Sequence, residues 1–110
     1  MTDISMRNTG NNKMQIEKTS EGSKLTLKVS GRLDTNTSPD LEAALKLDGV
    51  TNVVFDFTNL EYISSAGLRI LLSTQKAMMA CGGEMSVANP NAMVSGVFDM
   101  TGLSSVLRIV

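Results

Sequence analysis

The sequence contains no histidine, and its only cysteine is Cys81. Without histidine, neither a Ser-His-Asp nor a Cys-His catalytic site can be built. Zinc sites need several Cys or His ligands, which this chain does not have. One cysteine also excludes an internal disulfide, and the apolar helical context of Cys81 predicts a small buried hydrophobe.

The standard phosphate-binding loops are missing too. No Gly-x-x-x-x-Gly-Lys-[Ser/Thr] and no Gly-x-Gly-x-x-Gly segment occurs, so nothing predicts a nucleotide or another cofactor. We therefore expect no metal, no cofactor and no enzymatic activity. The alternative is a small α/β enzyme that works with carboxylates such as Asp34 or Asp56.

Charge and aromatic content are low for a nucleic-acid-binding protein. The net charge is −1, and the aromatic residues are one Tyr and three Phe, with no Trp. Nucleic-acid binding normally needs a field of Lys and Arg, often with aromatic stacking platforms. No apolar run approaches the roughly 18 residues that cross a bilayer, and residues 1–12 lack the apolar core of a signal peptide. We expect a cytoplasmic protein that has neither nucleic-acid nor membrane partners.

The remaining features are those of one globular domain. The chain has 110 residues, of which 42% are hydrophobic, enough to bury a single core. The polar residues 1–12 are predicted to form a flexible tail and residues 13–110 the domain. Alternating apolar residues predict an antiparallel pair of strands at 13–19 and 24–30. The apolar run 52–57 predicts a strand that is covered on both faces.

Helices are predicted from their terminal signals and apolar spacing. Ser38 is the expected N-cap of the first helix, with Pro39 at its first position. The second helix is expected at 65–80 and ends at glycines, and Asn89-Pro90 opens a third that stops near residue 101. Further strands are expected at 84–88 and 107–110. This order predicts an α/β fold with a mixed four- to five-stranded sheet and helices mainly on one face.

Two serines, Ser64 and Ser65, lie at the start of the second helix. Functional loops in α/β sheets lie beyond the carboxyl ends of strands, which suits a functional site at this junction. On local chemistry alone, however, both serines are simply helix caps. The residues by themselves leave both interpretations open.

Residues 53–68, with the sequence VVFDFTNLEYISSAGL, resemble the central signature of the STAS domain (sulfate transporter and anti-sigma factor antagonist). In that family an apolar strand ends in Asp, and a short loop leads to Asp-Ser-[Ser/Thr]-Gly-Leu at a helix start. Gly31-Arg32-Leu33-Asp34 with the following Thr37-Ser38-Pro39, and Thr101-Gly102-Leu103, resemble the family's first loop and closing segment. The likeness covers residues 13–110, and it implies a single STAS-like domain.

The resemblance implies a bacterial anti-sigma factor antagonist that works by partner switching. Such proteins bind an anti-sigma factor that is also a serine kinase. Phosphorylation of the antagonist ends the binding, and a PP2C-type phosphatase reverses it. Alignment on Gly67 places the phosphorylated serine at Ser65. The implied partner-binding residues are Asp34, Asn36, Thr37, Ser64, Ser65, Ala66, Gly67, Leu68 and Arg69. The alternative is a non-switching STAS subunit of a transport complex or signalling scaffold.

Several residues carry further expectations. The family usually has Asp where this chain has Ser64, which makes Ser64 the alternative phosphorylation site. Asp56 is expected to accept hydrogen bonds from the following loop, where Thr58 and Asn59 form a turn. Arg69 and Lys76 are expected on the solvent side of the second helix. Core packing, rather than an adaptable binding face, is expected of Met78, Met79, Met93 and Met100.

Overall fold

The computed structural model describes residues 14–110, so the expected tail 1–12 and the first residue of the expected domain lie outside the described residues. Within residues 14–110 the chain forms six strands and three α-helices, in the order β-β-α-β-β-α-β-α-β. The strands are β1 (Met14–Glu21), β2 (Lys24–Leu33), β3 (Asn52–Asp56), β4 (Leu60–Ile63), β5 (Glu84–Ala88) and β6 (Arg108–Ile109). The helices are α1 (Ser38–Ala44), α2 (Ser65–Ala80) and α3 (Ala92–Thr101), and a 3₁₀ turn (Leu103–Ser105) follows α3.

All the strands belong to one mixed sheet, with the order β1-β2-β3-β5-β6 and β4 attached to β2. Strands β1 and β2 form the predicted antiparallel hairpin, with Glu21 opposite Lys24. The other pairs are parallel. The first half of the long strand β2 pairs with β3, and its second half pairs with β4. The predicted α/β fold with a mixed sheet is confirmed.

Strand β4 accounts for the difference between the six observed strands and the four or five expected, because its residues were expected to be loop. A turn after β3 brings the chain back to β2. Asp56 Oδ1 accepts hydrogen bonds from the Thr58 N–H (3.1 Å) and hydroxyl (2.5 Å), as expected of Asp56. The Gly31 N–H then donates to the Asn59 carbonyl at 3.1 Å. This turn lets four residues form a second strand beside β2.

The core lies between one face of the sheet and the helices. Leu27 of β2 and Phe55 of β3 are buried with Leu71 of α2 and Phe98 of α3. Residues on the opposite face of β3, such as Val54, are partly exposed. The helices therefore cover mainly one face, as predicted, and the expectation that β3 is covered on both faces is wrong.

Three of the four methionines expected in the core are exposed. Met78 is buried, with 2% of its surface exposed, but Met79, Met93 and Met100 are 68%, 46% and 84% exposed. Helix α3 buries Val94 and Phe98, and Met93 and Met100 lie outside that narrow buried stripe. Cys81 is also exposed, not buried as expected, because it follows the last residue of α2 and lies outside the packed helix.

Two helices begin at a different residue from the one predicted. The N-cap of α1 is Thr37, so Ser38 is its first residue. The N-cap of α3 is Asn91, whose side chain accepts the Val94 N–H at 2.8 Å. Asn89 instead has a φ of 57°, a left-handed conformation that cannot start a helix and that Asn tolerates better than most residues.

No α-helix within residues 14–110 is both long enough and apolar enough to cross a membrane.

Candidate functional site

The candidate site lies where two neighbouring parallel strands end. Leu33 at the end of β2 is opposite Ile63 at the end of β4. The chain segments that follow, residues 34–37 and 64–65, therefore leave the sheet at the same edge. The Ser64 N–H donates to the Leu33 carbonyl at 2.9 Å, which joins the start of α2 to the loop after β2. The topology thus brings the two groups of predicted site residues together.

The loop after β2, residues 34–37, is organised by the carboxylate of Asp34. Its Oδ1 accepts hydrogen bonds from the Asn36 N–H (2.9 Å) and the Thr37 N–H (3.1 Å). The Thr37 hydroxyl donates to the Arg32 carbonyl and accepts the Asp34 N–H, each at 2.8 Å. Such a network fixes a turn before any partner binds. Asp34 therefore shapes the loop, while its side chain keeps a relative exposure of 21%.

Arg32 and Tyr62 form one wall of the site, and neither was predicted as a site residue. They are opposite each other in the β2–β4 pair, and the Arg32 guanidinium lies 4.3 Å from the centre of the Tyr62 ring. Its Nε is also 3.9 Å from Asp34 Oδ2. The interaction with the ring is a cation–π contact, and it holds Arg32 beside Asp34. The contact could not be predicted, because Arg32 and Tyr62 meet only through the pairing of β2 with β4, and β4 was expected to be loop.

The two serines at the start of α2 have different environments. Ser64 is the N-cap, with an extended backbone (φ −100°, ψ 176°), and its side chain accepts no hydrogen bond from the helix. Its hydroxyl oxygen is buried and has no hydrogen-bond partner among residues 14–110. Ser65, the first helical residue, is exposed. The first N–H groups of α2 have no partner within the helix, and the Ser64 side chain does not supply one.

Gly67 allows α2 to begin directly against the ends of β2 and β4. A Cβ atom on Gly67 would lie 2.8 Å from Ile63 Cγ1 and 2.8 Å from Leu33 Cγ. These distances are too short for unshifted carbon atoms. Gly67 and Leu68 are buried, as is Thr37, so these three predicted site residues shape the surface from below.

A shallow groove between α1 and α2 begins next to the site. Its volume is about 200 Å³, and its walls include Thr35 after β2, Glu42 of α1, and Ala66 and Arg69 of α2. Arg69 is exposed, as is Lys76, which confirms that both lie on the solvent side of α2. The groove was not predicted, because it depends on how α1 packs against α2.

The described part of the chain offers no metal site: within residues 14–110, no three Cys, Asp or Glu side chains gather as ligands. Asp56 is held in the turn after β3 and belongs to no such group. Partial burial alone would raise the pKa of Asp56, but hydrogen bonds from Thr58, the charge of Lys28 and a contact with Asn89 together lower that pKa below its usual value. Asp56 is therefore a hydrogen-bonded carboxylate at neutral pH.

Comparison with known proteins agrees with this architecture. The model of the STAS domain family matches residues 14–110, so the chain belongs to that family. An anti-sigma F factor antagonist of Paenibacillus polymyxa is 31% identical over 100 residues, which are 87% of this chain and 86% of the relative. Relatives with similar sequences are thus named anti-sigma factor antagonists.

Solved structures show the same fold. An anti-sigma factor antagonist from Mycobacterium paratuberculosis is 24% identical, with a TM-score of 0.76, over 87% of this chain and 84% of that one. Unphosphorylated SpoIIAA, an anti-sigma factor antagonist, has a TM-score of 0.73 at 18% identity, over 98% of this chain and 88% of that one. Its phosphorylated form has a TM-score of 0.61 at 17% identity, over 98% and 91% of the two chains.

Proposed function

We propose that this chain is a cytoplasmic anti-sigma factor antagonist controlled by phosphorylation of Ser65. It binds an anti-sigma factor that is also a serine kinase, and phosphorylation ends that binding until a PP2C-type phosphatase removes the phosphate. The names of its relatives support the antagonist function. The observation that carries the phosphorylation step is the position of Ser65, exposed at the start of α2 beside the loop that Asp34 organises.

The binding surface comprises the exposed residues of loop 34–37 and of the first turn and a half of α2. Asp34, Asn36, Ser65 and Arg69 offer polar groups there, while Ala66 leads into the groove between the helices. The buried residues Thr37, Gly67 and Leu68 keep this surface in shape. Because the loop is already hydrogen bonded, little ordering entropy is lost when a partner binds.

The environments of the two hydroxyls support Ser65, rather than Ser64, as the kinase substrate. A kinase must place the accepting hydroxyl in its own active site, and the hydroxyl oxygen of Ser64 is buried. Modifying Ser64 would require the start of α2 to open, whereas Ser65 is exposed. The burial of its hydroxyl supports the proposal that Ser64, which replaces the family's usual aspartate, does not compete with Ser65.

A phosphate on Ser65 would be tolerated by the fold but not by the interface. It adds about −1.5 to −2 charges at neutral pH, and the free N–H groups and positive dipole end of α2 favour an anion there. SpoIIAA, which shares this fold, has been solved in a phosphorylated form. In an interface, the same charge must lose its water and would lie beside the carboxylate of Asp34. A penalty of about 2.8 kcal/mol weakens binding a hundredfold.

The test is to incubate the chain and ATP with each purified anti-sigma factor kinase encoded in the same genome, and to locate phosphate by mass spectrometry. The chain and its Ser64→Ala variant should each gain one phosphate, at Ser65, and Ser65→Ala should gain none. Phosphate on Ser64 would contradict the choice of serine. No phosphate with any kinase, together with unchanged binding of Ser65→Asp, would instead support a non-switching STAS subunit.

A further inference from the structure

Arg69 lies in the position from which a side chain on α2 best reaches Ser65. It is four residues further along the same helix, and residues at this spacing are neighbours on a helix surface. Side chains on an α-helix also lean towards its N-terminus. The long side chain of Arg69 can therefore reach over the turn in which Ser65 lies, and both residues are exposed.

The guanidinium of Arg69 is available to a new partner. Within residues 14–110, no ion pair or hydrogen bond holds it, whereas Arg32 lies near Asp34 and Arg108 pairs with Glu84 at 2.7 Å. Arg69 instead borders the groove between α1 and α2, where Glu42 is the acidic residue of the wall. An arginine that is free to move can form two parallel hydrogen bonds to a phosphate.

We propose that Arg69 is the counter-ion of phosphorylated Ser65, and that it carries the effect of the phosphate into the groove between α1 and α2. The proposal rests on the proposed phosphorylation of Ser65. When the phosphate is added, the guanidinium turns from the rim of the groove to the phosphate oxygens. The groove then presents Glu42 without its neighbouring cation. One modification thus changes the charge at two places on the binding surface.

The test is a titration of the phosphate itself. Phosphoserine is incorporated at position 65 by genetic code expansion, and its second pKa is measured by phosphorus-31 NMR. A cation about 4 Å away favours the dianion, so this pKa should be about half a pH unit lower in the otherwise unchanged chain than in Arg69→Gln. The other charged groups around the site, Arg32, Asp34 and Glu42, are present in both proteins, so their effects on the phosphate pKa cancel in the comparison.

Lys76→Gln is the matched control. Lys76 is the other exposed cation of α2, eleven residues beyond Ser65, which is about 16 Å along the helix axis. Its removal should leave the phosphate pKa unchanged. Arg69→Lys keeps the charge but loses the planar fork, so the phosphate pKa in this variant should be intermediate. If Arg69→Gln does not fold, Arg69→Lys is the variant used in the comparison. Equal pKa values in all these proteins would overturn the role of Arg69.

Failure of this proposal and failure of the proposed function give different results. Equal phosphate pKa values would remove Arg69 from the mechanism, while loss of partner binding on phosphorylation would still stand. Conversely, if phosphorylated and unmodified chains bind the anti-sigma factor equally, the switch fails whatever the titration shows. The titration needs no partner protein and therefore tests Arg69 alone.

Discussion

Replacing Gly67 by alanine tests how closely α2 packs against the ends of β2 and β4. The added Cβ would lie 2.8 Å from a side-chain carbon of both Ile63 and Leu33. These two side chains are 2% and 0% exposed, so neither can turn away into solvent. Either the two strand ends or the start of α2 must shift.

The magnitude follows from two opposing terms. Alanine in place of a helical glycine stabilises a protein by about 0.5 to 1 kcal/mol. Adding a carbon to a well-packed core costs about 1 to 3 kcal/mol. Gly67→Ala should therefore lower the free energy of unfolding by about 1 kcal/mol, which corresponds to a fall of about 4 to 8 °C in Tm.

Gly96→Ala is the matched control, because Gly96 is a helical residue of α3 whose added Cβ would meet nothing within 4 Å beyond its chain neighbours and its own helix backbone. It should stabilise the protein by about 0.5 to 1 kcal/mol. Both variants gain helix stability from replacing glycine by alanine, and this gain cancels when they are compared. The difference between their unfolding free energies therefore measures the steric cost of the Gly67 Cβ, about 1 to 3 kcal/mol. Urea unfolding followed by circular dichroism gives both values. A Gly67→Ala protein as stable as Gly96→Ala would refute the close packing at this junction.

Three further predictions concern single side chains. The Ser64 hydroxyl makes no cap, so Ser64→Ala should change the unfolding free energy by less than about 0.5 kcal/mol. The Asn91 side chain does cap α3, so Asn91→Ala should lower it by about 1 to 2 kcal/mol. Equal losses for the two variants in urea unfolding would contradict this difference. Thr37→Val removes the hydroxyl that links Arg32 and Asp34 and should lower the free energy of unfolding by about 1 to 3 kcal/mol. Amide hydrogen exchange in loop 34–37 should become faster. Unchanged exchange would show that the hydroxyl does not hold the loop. The folded-state pKa of Asp56 is lowered, so its stabilising effect is present above about pH 4 and is lost as the pH falls through that pKa. Asp56→Asn should therefore destabilise the protein more at pH 6 than at pH 3, and an equal loss at both would contradict the hydrogen-bonded carboxylate.

Elements with strong local signals could be predicted closely from the sequence. The bounds of α2 and β5 were predicted to the residue, because apolar spacing and glycines after α2 are local features. Strand β4 was missed because it has four residues and gains its stability from pairing with β2, which is distant in sequence. The exposure of Met93 and Met100 depends on how much of α3 the sheet covers, and apolar spacing does not report that.

In the candidate site, too, some features could be inferred from the sequence and others could not. The resemblance to the STAS family placed Asp34 and the two serines on one partner-binding surface, but the pairing of β2 with β4 that brings them together was not predicted. The buried hydroxyl of Ser64, the contact of Arg32 with Tyr62 and the groove beside Arg69 depend on tertiary packing. The distinction between the two serines therefore needed the structure.

The central proposal is that phosphorylation of Ser65 ends the binding of an anti-sigma factor. Its most direct test is isothermal titration of one anti-sigma factor with the unmodified chain and with the chain that carries phosphoserine at position 65. We expect the phosphorylated chain to bind about a hundredfold more weakly, a difference of about 2.8 kcal/mol. Equal dissociation constants for the two forms would contradict the proposal.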